Sequence, residues 1–516
     1  MPMTLADFGL NPLKSQHAAY NGSILSPVAP EYTVGDVLVG SAYRALVLGV
    51  GEQTVEPEDA RALPVELTAE MDEAGWSAVL GSRGALGAPQ PERQRRSDPP
   101  PRLMPLVPSI ARFSAVQGDA PGRRWNPGLL LHSALESGGE PTETLLLKRQ
   151  FADALRVGES DDVFARFLEE RVKDLRGGTV YPAEPRPSDV PGAWRRARGG
   201  GRTPAECFGH DIATVVEAKG RQTRRQWTAL VEALLRLGLG THMLWTCRLN
   251  REAWRLVGEV VDGAAVPGVE VIETACWTTH LHGDPFLELG VDAVPWLRRA
   301  VREYVGARIG INLVLYALDE AGQTWGQKLG EPRVGSGDTP ATELHRFLEH
   351  VAAHREALQD ALAALPDGDR SASVLALRIG DRNPRLLASN SGPPENLFFF
   401  LRYALGQLQA RDPGMKSYDQ AYLLSKQNRS NASPWPVEPG PVMSLLLVHC
   451  CCRWIGGAFT GVDDLRRYLA EYGIHAPAGS LQGGATVRQL ERLGLVVDSP
   501  DAGGGRLLVD PFPVPE

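Results

Sequence analysis

Residues 223–238 read TRRQWTALVEALLRLG. Thr223 followed by Gln226 is a capping-box pattern, in which the Thr oxygen and the Gln side chain satisfy the free amides of a helix start. Trp227, Leu230, Val231, Leu234 and Leu235 then fall along one face. The spacing predicts a helix over 224–238, and comparable segments flank it. Downstream, Asp292 and Pro295 open VPWLRRAVREYVGARIGINLVLYALDE, while Thr339 and Pro340 place an N-cap and a first-turn proline before ATELHRFLEHVAAHREALQDALAALPDG. Leu344, Leu348, Val351, Leu358, Leu362 and Leu365 make a near-heptad stripe there, interrupted at Arg355, as in a helix that packs on its neighbour. Upstream, Leu146, Phe151, Leu155, Phe164, Leu168 and Leu175 predict a helical pair that stops at Gly177 and Gly178.

The expected fold class is therefore mainly α and multidomain, because 516 residues exceed the roughly 250–300 that one hydrophobic core supports. Segments 84–108 and 177–204 are too rich in Pro and Gly to hold a helix or central strand. They divide the chain as follows: a small mixed α/β unit over 1–108, a helical segment over 109–176 and an Arg/Gly/Pro-rich linker over 177–204. A helical Trp-rich domain over 205–330 and a helical domain with a long loop over 331–440 precede a C-terminal module over 441–516. The mixed unit is expected from Val-rich runs in EYTVGDVLVGSAYRALVLGV and WSAVLGSRG, which read as short strands.

Composition excludes more than it identifies. The 54 basic and 62 acidic residues leave a net charge of −8, which argues against a globally basic nucleic-acid coat protein. Only 7 of the basic residues are Lys, a skew that, with 55 Gly and 40 Pro, points to a GC-rich bacterial gene. Six Cys, three of them consecutive at Cys450, Cys451 and Cys452, read as reduced buried thiols rather than a disulfide framework. MPMTLADFGLNPLKSQ has no secretory n- and h-region, and no apolar run reaches the ~18 residues of a membrane helix, so a cytoplasmic protein with no membrane partner is expected.

The last 57 residues have a distinct order. Thr460 and Asp463 are placed to cap a helix through DDLRRYLAEYG, with Leu465, Tyr468, Leu469 and Tyr472 inward and Gly473 ending it. After the loop HAPAGSLQGG comes ATVRQLERLG, with Val487, Leu490 and Leu493 inward and Gly494 as its stop. Two β-rich runs, 495–497 and 507–509, flank the turn SPDAGGG. Over about 441–512 this order resembles the winged-helix family, with PVMSLLLVHCCCRWIGG as first helix, ATVRQLERLG in the recognition position and DSPDAGGG as wing tip. That resemblance implies Arg488, Gln489 and Arg492 presented to a DNA major groove, with Arg506 beside the wing. Many winged helices dock proteins instead, and residues 460–516 carry five Arg against eight acidic side chains, which weakens phosphate attraction.

The strongest local basic excess lies over 186–225, where Trp194 stands beside Arg195, Arg196 and Arg198, and where Arg224 and Arg225 follow. This segment reads either as a polyanion-binding loop or as a solvated linker. A second basic stretch spans 93–124. Within the first, IATVVEAKG with Pro187-Ser188-Asp189 upstream resembles the PD-(D/E)xK nuclease signature. By that resemblance Asp189 or Asp211, with Glu217, would hold Mg²⁺, and Lys219 would stabilise the attacked phosphate. The same string, stopped by Gly220, also reads as a helix. Cys276, His280 and His282 form a further metal-type constellation, and His350 and His354 share a helix face. No phosphate loop, GxSxG elbow or HExxH occurs.

The leading expectation is thus a non-catalytic, DNA-associated scaffold or recognition subunit of a multiprotein bacterial system, with genome (antiviral) defence as a fitting setting by analogy. It would need other protein subunits and no cofactor. The alternatives are a Mg-dependent nuclease and a protein-binding adaptor built on the winged helix.

Overall fold

The computed structural model describes residues 35–48, 106–111, 127–139, 141–174, 203–277, 284–325, 340–365, 368–382, 392–407, 420–426, 428, 432–455, 460–481, 483–498 and 506–513. The chain is mainly helical. The described elements begin with α1 (Gly35–Ala42), which runs on as a π-helical segment, Tyr43–Leu48. Then follow α2 (Pro108–Ala111), α3 (Pro127–Ser137), α4 (Pro141–Leu155), α5 (Val163–Asp174) and α6 (Pro204–Glu217). Next come α7 (Arg224–Val261), α8 (Val269–Trp277), β1 (Leu287–Glu288) and α9 (Ala293–Glu320).

Helix α7 is the axis of the molecule. Its capping box forms as the sequence predicts: Gln226 N donates to the Thr223 hydroxyl at 3.3 Å, and Thr223 N donates to Gln226 Oε1 at 3.1 Å. The helix does not stop at residue 238, however. It continues for 38 residues, and neighbours cover most of its middle stretch, 227–250, on every side, while Arg255 and Glu259 near its end are exposed. Its buried polar side chains bond back to the preceding turn, as with Thr241 to Leu237 O at 2.7 Å, Thr246 to His242 O at 2.9 Å and Asn250 Nδ2 to Thr246 O at 2.8 Å. Gly238 and Gly240 are contact points rather than stops. A Cβ at residue 238 would enter the Phe208 ring of α6, and one at residue 240 would enter Leu405.

Helices α6 and α7 form a hairpin tied by Trp227 Nε1 donating to Val215 O at 2.9 Å. Helix α9, capped by Asp292 Oδ1 on Val294 N at 3.2 Å, packs most extensively on α7. At the N-terminal end, Leu38, Val39, Ala42, Tyr43, Leu46 and Val47 are buried against α3, α4 and α7. Among the described residues the expected Val-rich strand over 35–48 is therefore helix, since side chains that need burial on several faces favour a helix among helices over an isolated strand. The run WSAVLGSRG lies outside the described residues.

Beyond α9 lie α10 (Pro340–Ala353), α11 (Arg355–Ala363), α12 (Ala372–Arg382) and α13 (Gly392–Leu405). The single leucine-striped helix expected over this region is broken at His354, with α10 on α7 and α8, and α11 on α9. A ribbon of backbone bridges then crosses the body, linking Gly406 to Leu424, Leu424 to Val437 and Val437 to Leu289. The chain ends with α14 (Pro441–Ile455), β2 (Thr460–Gly461), α15 (Val462–Glu471), β3 (Ile474–His475), α16 (Ala485–Arg492), β4 (Val496–Asp498) and β5 (Arg506–Leu508). Buried apolar residues from Leu38 to Leu508 form one continuous cluster.

Candidate functional site

The C-terminal elements run helix, strand, helix, strand, helix, strand, strand. Strand β5 is central and antiparallel to both neighbours, with Thr460 opposite Leu508 on one side and Val497 opposite Leu507 on the other. Gly473, at φ +72°, ends α15, and a side chain there would collide with the Phe286 ring. Gly494, at φ +69°, ends α16. The start of α15 is one residue later than expected: Asp464 Oδ2 accepts the Gly461 amide at 2.7 Å, so Asp464, not Asp463, closes the first turn.

Four contacts fasten this module to the helical body. The carboxylate of Asp211, on α6 and fully buried, accepts both the Tyr472 hydroxyl at 2.6 Å and the Tyr468 hydroxyl on the same oxygen. Burial and that carboxylate hold both phenols well above their ordinary values. Strand β3 pairs in parallel with β1, Leu287 opposite Ile474. Arg453 reaches Glu217 at 2.6 Å, and Arg221 Nη1 donates to Phe512 O at 2.5 Å. The tail is held in turn by His449 Nδ1 and Asp510 Oδ1, 2.6 Å apart. Burial works against the Asp510 carboxylate, but the His449 bond and the Phe512 amide outweigh it and keep the group below its ordinary value.

The outward side is α16 and the hairpin. Val487 and Leu490 enter the core, while Arg488 and Arg492 are exposed and Gln489 is half-buried. Leu493, expected inward, is instead 36% exposed at the helix end, where the Gly494 turn carries it off the buried face. Arg488 Nη1 donates to Gly483 O at 2.6 Å. Arg506 is engaged by Glu491 at 3.1 Å and Asp498 at 3.3 Å, so its charge is neutralised within the module. Val497 and Val509 are also exposed on the hairpin.

The nuclease-type residues do not converge among the described residues. Glu217 ends a helix, not a strand, and faces solvent with Arg453, whereas Asp211 is sealed under α15. Lys219 pairs with Asp161 at 3.1 Å; burial and neighbouring Arg224 lower its pKa, against the pull of Asp161. Asp189, Arg195, Arg196 and Arg198 lie outside the described residues, as does the stretch 112–124 of the second basic segment.

Arg224, expected to contact DNA, is fully buried, and its role is structural. Its guanidinium donates to Leu106 O at 3.1 Å, Arg156 O at 3.3 Å, Tyr43 Oη at 3.0 Å and Leu155 O, and it pairs with Asp161 at 3.4 Å. Arg225 is exposed. Cys276 is buried in α8, and burial pushes its thiol far up. His280 and His282 lie outside the described residues. His350 Nε2 meets Gln323 O at 2.9 Å and its ring stands 5.2 Å from Trp325, which makes it a packed core-edge side chain. Among the described residues no group of three or more His, Cys, Asp and Glu is placed to hold a metal ion, and no helix is long and apolar enough to cross a membrane.

The roles of Asp211 and Arg224 escape sequence reading because their partners lie far away in the chain. The one available signal is the pair Tyr468 and Tyr472, two phenols one turn apart on a face that must be buried, which requires a polar partner somewhere. No protein-family model and no curated protein matches this sequence.

Proposed function

We propose that this chain is a non-catalytic recognition subunit of a multiprotein assembly, in which a helical body holds a C-terminal winged-helix module in one orientation and turns α16 toward DNA. The observation that carries this reading is the division of the module's surface. Asp211, β1 and Glu217 grip α15, β3 and α14, while Arg488, Gln489 and Arg492 remain outward on α16. Arg488 and Arg492, with no ion-pair partner among the described residues, provide modest phosphate attraction, a salt slope of about 0.9 each, so affinity is expected to come from the assembly rather than from this module alone. Bacterial genome defence is a setting that such a part fits.

A second reading, protein docking, is favoured by the exposed Leu493, Val497 and Val509 and by the internal pairing of Arg506. The two separate in one experiment on the full chain: duplex binding across a salt series, alongside copurification, for Arg488→Ala/Arg492→Ala. DNA reading predicts a loss of about 1 to 3 kcal/mol on a preferred duplex with the fold intact. Unchanged DNA binding with lost copurification assigns α16 to a protein.

A further inference from the structure

Asp211 is fully buried, and a carboxylate taken out of water is strongly disfavoured unless donors and a counter-charge meet it. Its Oδ2 accepts the Tyr468 and Tyr472 hydroxyls of α15. The Cys450 thiol of α14 also bonds to it, and burial and Asp211 together drive that thiol far up. These three groups are neutral, so they solvate the charge without cancelling it. The other oxygen, Oδ1, lies 3.3 Å from Nδ1 of His210. Among the described residues that imidazole is the one side chain able to carry positive charge within ion-pair distance of Asp211.

The cations on the surrounding elements are committed elsewhere. Lys148 of α4 pairs with Glu136 of α3 at 2.6 Å, Arg236 of α7 with Glu232 at 2.9 Å, Arg453 of α14 with Glu217 at 2.6 Å, and Arg467 of α15 with Asp464. On α6 itself, Glu206 closes the Thr203 capping box and Cys207 is a buried thiol. Burial holds the Cys451 thiol far up, and burial and Lys148 lower the pKa of His132 on α3 to about 4, so neither carries charge near neutral pH. A second imidazole–carboxylate pair spans the joint itself. His475 Nδ1 of β3 and Glu288 Oε2 of β1 are 3.7 Å apart, at opposed positions of the parallel strands. Arg248 and Arg299, on the helices near β1, are taken by Asp284.

Imidazole is the side chain whose ordinary titration falls near neutral pH. His210 keeps 36% of its side chain open to solvent and His475 54%, so both exchange protons with water although Asp211 does not. We propose that the joint is a proton-gated latch: protonated His210 and His475 hold the C-terminal module on the body, and loss of those protons as pH rises loosens α15 and β3. With His210 neutral, the carboxylate under α15 has donors but no counter-charge. With His475 neutral, β1 and β3 keep their backbone pairing alone. Arg453 on Glu217 and Arg221 on Phe512 O remain as tethers, so the module shifts on the body rather than leaving it. The inference rests on the reading in which the body fixes the module's orientation, and it adds what controls that orientation.

The test is hydrogen exchange of the full chain, read by mass spectrometry at about pH 6 and about pH 8 with the intrinsic pH dependence of exchange divided out. In the parent, peptides covering 462–475 are expected to exchange about tenfold faster at the higher pH, while peptides of α7 are unchanged. The variant is His210→Gln/His475→Gln, whose amides hydrogen-bond but never charge, and its 462–475 peptides should exchange at the fast rate at both values. The latch is overturned if corrected exchange in the parent is the same at both pH values, a comparison that needs no variant to fold. It is also overturned if the variant, folded by circular dichroism, keeps the parent's pH dependence or exchanges slowly throughout. Faster exchange of α7 in parallel would mean opening of the whole chain and would equally overturn it. No DNA enters this measurement, so its failure leaves the duplex-binding test of α16 standing, and failure of that test leaves the latch standing.

Discussion

Tyr472 donates its hydroxyl to Asp211 across 261 positions of sequence, at 2.6 Å and out of contact with water. With Tyr468 on the same oxygen, the carboxylate is the polar centre of the joint between body and module. Asp211→Leu strands two buried phenols and is expected to cost about 2 to 4 kcal/mol, with Asp211→Asn losing less because an amide oxygen still accepts. Urea denaturation gives the magnitude. Limited proteolysis should show earlier release of a C-terminal fragment, and a stable, protease-resistant Asp211→Leu chain would refute the role.

Arg224 is expected to be intolerant even of Lys. An ammonium has three donors and cannot reach the carbonyls of Leu106, Arg156 and Leu155 together with Tyr43 as the planar guanidinium does. Arg224→Ala, which leaves those groups and Asp161 without their shared partner, should cost about 3 to 5 kcal/mol. DNA affinity corrected for folded fraction should not change.

His242 lies within α7 with neither ring nitrogen hydrogen-bonded among the described residues, and burial pushes its pKa down to about 4. Between that value and the ordinary 6.5 the unfolded chain binds a proton there and the folded chain does not. Stability is therefore expected to rise with pH across this window and to level off above it, contributing about 3 kcal/mol at neutral pH relative to pH 4. His132, similarly lowered to about 4 by burial and by Lys148, acts in the same direction. Thermal unfolding over a pH series checks this, and His242→Leu should give a shallower acid slope than the parent.

Gly238→Ala tests the close approach of α6 to α7. Helix propensity alone would favour the change by about 1 kcal/mol. Because the new methyl would occupy the place of the Phe208 ring, a net loss of about 1 to 3 kcal/mol is expected instead. Pairing it with Phe208→Leu should recover part of that loss, as a double-mutant cycle would show.

Local signals were readable where one residue decides one conformation. The Thr223 capping box, the Asp292 cap and the glycines at 473 and 494 all act within four residues of sequence, and each takes its expected place. Longer-range burial was not readable. Beyond residue 238, α7 carries Thr241, His242, Arg248, Asn250 and Glu252, which break any apolar stripe, yet all are buried because helices surround them. A helix covered on all sides has no amphipathic period to detect. Likewise, Glu217-Ala218-Lys219 has a nuclease's residue types, but the neighbouring Pro204 and the Thr203 cap commit it to a helix, which points Glu217 and Asp211 to opposite fates. In the outward region, the pairing of Arg506 with Glu491 and Asp498 depends on a hairpin register that no local pattern specifies.

The length of α7 also sets a condition on how the protein is made. Its last residue, Val261, leaves the ribosome long before Leu405, the side chain that covers Gly240. At the ~5–20 residues per second of translation, roughly 7 to 30 s pass in which the helix exists without that cover. During this interval Met243, Leu244, Trp245 and Leu249 have no final neighbours from the C-terminal half of the chain, so nascent molecules should be a strong substrate for holding chaperones. Production in cells lacking such factors is expected to yield aggregates even though the finished protein has a well-sealed interior.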